Sequence, residues 1–347
     1  MSEVRANGGE LDGAAQLLAS AHARVAAAIA DLALPEAFRL SDRQRFTVSH
    51  LLRRLVGDVE DELRSALVAH FAGEEDFPLR AALSSASLAI ALPVLEGGGV
   101  VPDPALFAIL LRRAEEHRLA RAAAHEPRLL TELAGDEDPA VAAAAVSLLI
   151  AQSRRLDSFH EPLLASGDLP AEVAHGLAWT VAAALRTYLV ARHSVAPAAA
   201  DGAVTAAAAA LLGRYDEGAG ADSLARRLAL RLEERSRLVD DLLVRSAGEG
   251  VLPLLLAGLS LRTGLEPQAS WELLSDGSGR GPAIVLRAAH LEREAAASIL
   301  LDLAGREEAV AARLDLFDSL DPGEARHHIL LWSLDPAYRS AVARLAS

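Results

Sequence analysis

Alanine occupies about a fifth of this chain and recurs together with leucine at helical spacing almost from end to end. Alanine is the best helix former and lets helices approach closely, but each one buries little area. Aromatic residues make up only 4% of the chain, so the core has to be built from Leu, Val and Ala. That favours helix packed on helix over a sheet sandwich, which draws on β-branched and aromatic side chains. With 347 residues, 52% of them hydrophobic, there is ample material for one elongated domain or two to three compact ones.

The punctuation of the pattern places the elements. Residues 11–34 carry Leu17, Leu18, Val25, Ile29 and Leu32 on one stripe, ended by Pro35. Ser41 followed by Gln44 matches a capping box. The helix it opens is interrupted at Gly57 and resumes to Phe71. The charged run 73–77 forms a boundary, and the stretch before Pro93 reads as a buried helix. Asp103–Pro104 and Asp138–Pro139 each join an N-cap to a first-turn proline, opening helices at 104–124 and from 139. Between them lies a short helix at 127–134. Residues 156–167 read as a short helix and turn, followed by helices from Pro170 to about His193 and from Pro197 to about Leu212. The remainder reads as helices at 223–246, 250–261, 266–274, 280–290, 293–303, 306–319, 322–332 and 335–346.

Nothing reads as a strand. Three segments Pro93-Val-Leu, Pro162-Leu-Leu and Pro253-Leu-Leu each lead through a glycine-bearing turn, with Pro102, Pro170 or Pro267 near the start of the next helix. Their spacings are unequal, but the design is that of stacked helical pairs. The expected fold is all-α, an irregular α-solenoid or HEAT-like array of helical pairs without a sheet. Its divisions are an N-terminal helical hairpin region (1–75), a HEAT-like helical core (76–195) and a C-terminal helical array (196–347), with the main internal boundary in 194–220.

The segment IALPVLEGGGVVPDPALFAILLRRAEEHRLARAAA, residues 90–124, resembles the signature of the bacterial domain-of-unknown-function family 2336. That signature is apolar–Pro–Val–Leu, a short turn, then a helix trailing His-Arg/Gln-Leu-Ala. DEDPAVAAAAVSLL and the tail FDSLDPGEARHHILLWSLDPAYRSAVARLA are similar to members with a longer carboxyl half. Gly97–Gly99 stand where the family more often has a Ser-containing turn. The resemblance implies a helical, HEAT-like fold and brings with it no catalytic residue.

Charge and missing residue types exclude several functions. Asp and Glu outnumber Arg by 48 to 34, for a net charge of −14, and there is neither lysine nor cysteine. The single asparagine, Asn7, makes codon bias the better reading of the absent lysine. Schiff-base chemistry, the usual P-loop, thiolate nucleophiles and cysteine zinc sites all fall away. An acidic chain lacks the basic face that nucleic-acid binding needs. The arginine pairs 53–54, 112–113, 154–155 and 226–227 read as solvated faces or salt-bridged neighbours. No secretory signal and no apolar run of about 20 residues is present, so the expected location is cytoplasmic, without a membrane span.

Few residues could carry chemistry. His50, in RFTVSHLLRR, faintly resembles the phospho-acceptor box of sensor histidine kinases, but Leu51 stands where an acidic partner would assist proton transfer. His327 and His328 are adjacent on a helix and point about 100° apart, so with Glu324 they do not converge on a metal. Gly277-Ser278-Gly279 reads as the turn before a helix and not a nucleophile elbow. The carboxylate pairs Asp58/Asp61 and Asp240/Asp241 read as solvated faces. Trp179, Trp271 and Trp332 are core residues by default and, alternatively, anchors on a partner-binding surface. No catalytic residue, cofactor or metal is expected.

The functional expectation is a non-enzymatic helical scaffold or adaptor that binds a protein partner. Two alternatives stand beside it: a histidine phosphotransfer or signalling module using His50, and a peripheral membrane-associated helical protein. Homo-oligomerisation is a further expectation, with the Ala-rich helix 203–212 suited to close helix–helix packing.

Overall fold

The computed structural model describes residues 40–73, 77–99, 103–123, 125–276, 278–304 and 307–346. It divides into two compact units, Met1–Arg45 and Phe46–Ser347. The helix expected at 11–34 lies outside the described residues, as do Pro102 and Gly277.

The described chain is helical: α1 (Asp42–His70), α2 (Phe77–Leu83), α3 (Ala91–Gly97), α4 (Pro104–Ala122), α5 (Leu129–Ala134), α6 (Pro139–Ser153), α7 (Ala171–His193), α8 (Pro197–Leu212) and α9 (Ala221–Glu234). There follow α10 (Asp240–Gly248), α11 (Leu252–Thr263), α12 (Pro267–Leu274), α13 (Arg280–Ala288), α14 (Arg293–Ala304), α15 (Glu307–Ser319), α16 (Pro322–Ile329) and α17 (Pro336–Ala346). No strand occurs among the described residues; the nearest thing is a lone antiparallel bridge between Leu156 and Pro162.

The start signals act as expected. Ser41 and Gln44 form a reciprocal capping box, with Ser41 N donating to Gln44 Oε1 at 3.0 Å and Gln44 N donating to Ser41 Oγ at 3.3 Å. Asp103 accepts from Ala105 N at 2.7 Å and Asp138 from Ala140 N at 2.9 Å, each ahead of a first-turn proline.

Three apolar clusters organise the chain. The first joins α1, α2, α3, the first half of α4, α7 and α8, around Leu51, Leu55, Leu63, Leu110, Leu185 and Leu189. It draws on residues either side of positions 75 and 195: Leu67 and Leu79 share it, as do Leu189 and Ala200. In the second, α10 to α16 pack around Leu255, Leu259, Val285, Leu300 and Phe317. The third holds α5, α6 and α9 against α11 through Leu129, Val141, Leu148, Leu228 and Leu254. Because α11 is buried nearly all round, it faces the second cluster with Leu255 and Leu259 and the third with Leu254 and Ala257.

Several expected elements differ, each for an identifiable reason. Helix α1 runs through Gly57 without a break. A helical glycine costs only about 1 kcal/mol, and Leu55, Val56, Val59 and Leu63 bury around it. The expected buried helix before Pro93 is instead α2, an exposed turn over 84–89, and then α3. Arg64 and Glu60 of α1 hold that turn: the guanidinium takes the carbonyls of Leu83 (2.6 Å), Leu88 (2.7 Å) and Ser85 (2.5 Å). The Glu60 carboxylate accepts from Ile90 N and Ala91 N, capping α3 from another helix.

Residues 156–165 form a tight loop and not a short helix. Asp157 Oδ1 accepts from Phe159 N and Glu161 N, and His160 takes a left-handed φ of 62°. Arg113 grips both ends of the loop through the carbonyls of Arg155 (2.6 Å) and Leu163 (3.0 Å). Pro162 thus starts no helix, unlike Pro93 and Pro253, which lie in the first turns of α3 and α11. The expected helix 223–246 is two, α9 and α10, because Ser236 turns left-handed at φ 54° and Arg237 N returns to Leu232 O. The last turn of the expected 322–332 helix is a 3₁₀ turn, Leu330–Ser333. One alanine side of α8 (Ala200, Ala203, Ala207, Ala208) is buried against α7, while Ala206, Ala209 and Ala210 are exposed.

Candidate functional site

His50 lies on α1, stacked beside the exposed Phe46 with ring centroids 6.4 Å apart. Its Nε2 atom is buried and has no hydrogen-bond partner among the described residues. Across from it, backbone donors from Glu161 and Phe159 hold the Asp157 carboxyl below its ordinary value, helped by the charges of His50 and Arg54.

The three tryptophans all pack against the cores. Trp271 of α12 is 7% exposed and buried in the second cluster, so it is not available as a surface anchor. Trp332 is half-buried against that same cluster. Trp179 is half-buried at the edge of the first, with its indole N–H donating to His175 Nε2 at 3.0 Å. His327 and His328 sit with ring centroids 6.5 Å apart and tilted by 62°, and His328 Nε2 lies 3.5 Å from Glu324 Oε1. Among the described residues no three His, Asp or Glu side chains gather as a metal-binding group. Ser278 belongs to a capping turn: it donates to Asp276, whose carboxylate also accepts from Gly281 N at the start of α13. Asp58, Asp61 and Asp241 are exposed, whereas Asp240 accepts from Arg262 at 2.5 Å and from Glu292 N.

The densest polar cluster holds two of the arginine pairs read as solvated faces or salt-bridged neighbours, and Arg112 and Arg155 are salt-bridged and buried. Arg112, Arg113 and Glu116 of α4 are buried, together with Arg155. Glu116 accepts from Arg112 Nε and Arg155 Nη2, both at 2.8 Å. Arg112 reaches on to Asp222 of α9 with a bidentate pair at 2.9 and 2.6 Å. Asp168 lies 3.7 Å from Arg155 and caps α9 by accepting from Ala221 N at 2.8 Å.

Burial alone would raise the Glu116 carboxyl, but Arg155, Arg112 and Arg113 outweigh it and hold it at about 2. Burial, and then the Arg155 charge, push Arg113 below the usual arginine range. Desolvation opposes the charge of Arg112 too, yet Asp222 and Glu116 raise it. These pairs tie α4, α9 and the 155–168 loop together. The readable signal was the i, i+4 pair Arg112–Glu116 on the side of α4 that also carries the buried Leu119. Arg53–Arg54 and Arg226–Arg227, by contrast, are exposed.

Two shallow depressions lie on the surface of the C-terminal helices. One of about 380 Å³ is lined by Asp240, Arg262, Ala289 and His290, but Asp240 and Arg262 pair with each other. Another, of about 240 Å³, is lined by Ala297, Ser298, Leu301 and Val310 and carries no charged group.

Helix α6 differs from its neighbours. From Pro139 to Ser153 it contains no charged residue. Its inner side (Val141, Ala144, Ala145 and Leu148) packs against α5 and α9. Its outer side is apolar from Ala142 to Ile150 and open, ending at the exposed Ser153: Val146 is 41%, Leu149 37% and Ile150 46% exposed. At 100° per residue these three, with Ala142 and Ala143, fall within about 60° of one line along the helix. Beyond its C-terminus Leu156 and Phe159 are exposed as well. The sequence signal was there: a fifteen-residue helix without a polar face.

No helix among the described residues is long and apolar enough to cross a membrane. Neither a curated protein nor a solved structure matches the chain. A family model described as an uncharacterised protein conserved in bacteria, DUF2336, matches residues 90–329. That span runs from α3 to α16 and includes the buried arginine cluster and the open face of α6. The chain belongs to the DUF2336 family.

Proposed function

We propose that this protein is a non-enzymatic scaffold or adaptor, an irregular HEAT-like array of helical pairs that binds a protein partner through the outer face of α6. The observation that carries the reading is that face. A helix apolar on every side belongs in an interior, and here one side of it meets solvent. The pairing of successive helices, α5 with α6, α7 with α8 and α10 with α11, supports the array. So does the use of buried charge, because Arg112, Glu116 and Arg155 bind structure to structure. The test is a photoreactive side chain placed at Leu149 in the full chain and illuminated in a bacterial lysate. A discrete protein–protein adduct, to this chain or to another protein, is expected. Absence of any adduct, with the same side chain at the exposed Arg226 as a background control, overturns the reading.

A further inference from the structure

The occupant of the α6 face can be argued from the face itself. Its first half presents small residues, Ala142 and Ala143, and its second half large ones, Leu149 and Ile150. Val146 lies midway between them. Laid antiparallel on a copy of itself about an axis near Val146, the helix sets Leu149 and Ile150 of one chain against Ala143 and Ala142 of the other. Large side chains then fall on small ones along the whole contact.

The ends agree with this register. Glu137 precedes the helix and Arg154 follows it; both are exposed, and neither makes an ion pair among the described residues. Their neighbours are already engaged: Asp136 with Arg237, Asp138 with Arg235, and Arg155 with Glu116. In the antiparallel pair Glu137 of each chain stands near Arg154 of the other, so one surface supplies both halves of two ion pairs. A self-complementary patch is what a two-fold contact requires.

Resting on the reading of α6 as a protein-binding face, we infer that its partner is a second copy of this chain, joined through antiparallel α6–α6 packing about a two-fold axis. A helix of 15 residues is about 22 Å long, so the contact lies at the small end of stable interfaces and the dimer dissociates in the micromolar range.

Sedimentation velocity of the full chain between about 1 and 100 μM tests it. The wild type is expected to pass from monomer to dimer across that range. Val146→Glu is expected to be monomeric throughout with unchanged helical circular dichroism, since Val146 is exposed in the single chain. Glu137→Arg and Arg154→Glu alone should each weaken the dimer about tenfold, and the double swap should restore it. Restoration is specific to self-pairing, because against a fixed foreign partner the double swap would place like charges together. A wild type that stays monomeric at 100 μM overturns the inference. So does a dimer that survives Val146→Glu, or a double swap that fails to restore association. A monomer that still forms the Leu149 adduct with another protein would sink self-association alone and leave the reading of the face standing.

Discussion

Charge and burial compete directly at Glu116. It is 3% exposed and meets two guanidinium groups at 2.8 Å. Its folded-state value of about 2 lies below the ordinary 4.5, so its stabilisation is fully present above about pH 4.5 and is lost as pH falls towards 2. At about 1.4 kcal/mol per unit, the contribution is about 3 kcal/mol. Glu116→Gln should therefore be less stable at neutral pH by about 3 kcal/mol, since the arginines stay buried without their counter-charge. Urea titrations at pH 7 and pH 3 would check it. The gap between wild type and variant should narrow at the lower pH; a gap independent of pH would refute the assignment. The single chain of letters showed Arg112–Arg113 only as a charged pair. Arg112 meets Asp222 of α9 from 110 residues away, and Arg113 meets the carbonyls of Arg155 and Leu163 in the 155–168 loop.

At the level of elements, several helix ends are satisfied from a distance. Glu60 caps α3, Asp168 caps α9 and Glu249 caps α5 through Arg128 N and Leu129 N. Capping rules look within three residues, so Ser41, Asp103 and Asp138 were legible while these carboxylates were not. Glu60→Ala removes the α3 cap and the counter-charge of the buried Arg64, and should cost about 3 kcal/mol in urea denaturation. Gly250 marks another element-level constraint, between α10 and α11. Its φ is +71°, and a Cβ there would stand 2.8 Å from Ala120 Cα of α4. Gly250→Ala combines left-handed strain with a backbone clash, and a loss of about 2–4 kcal/mol is expected from thermal or urea unfolding. A loss below about 1 kcal/mol would mean that the α10–α11 turn does not sit against Ala120 of α4.

Across the unit Phe46–Ser347 the three clusters are linked and not separate. Helix α4 gives Leu106 and Leu110 to the first and Leu119 to the second, α11 serves the second and third, and the Arg112–Asp222 pair joins α4 to α9. Shared elements make unfolding cooperative. Two single-tryptophan variants would read it: one retaining only Trp179, in the first cluster, and one retaining only Trp271, in the second. Their fluorescence midpoints, each corrected for the stability of its own variant by circular dichroism, should coincide. Separated midpoints would show that the clusters fold as independent units.

Sequence alone determined that this chain is helical and where most helices begin. Those properties follow from alanine and leucine periodicity and from Asp-Pro and Ser-x-x-Gln starts, all of which act within a few residues. Loops such as 84–89 and 235–239 were hidden because nothing local forbids a helix there; Arg64 and the Arg237–Asp136 pair redirect the chain from outside. Which charges are buried, and which apolar face is left open, were likewise decided by tertiary packing. Val141 and Val146 are the same residue on the same uncharged helix, and only the arrival of α5 and α9 on one side makes the first core and the second surface.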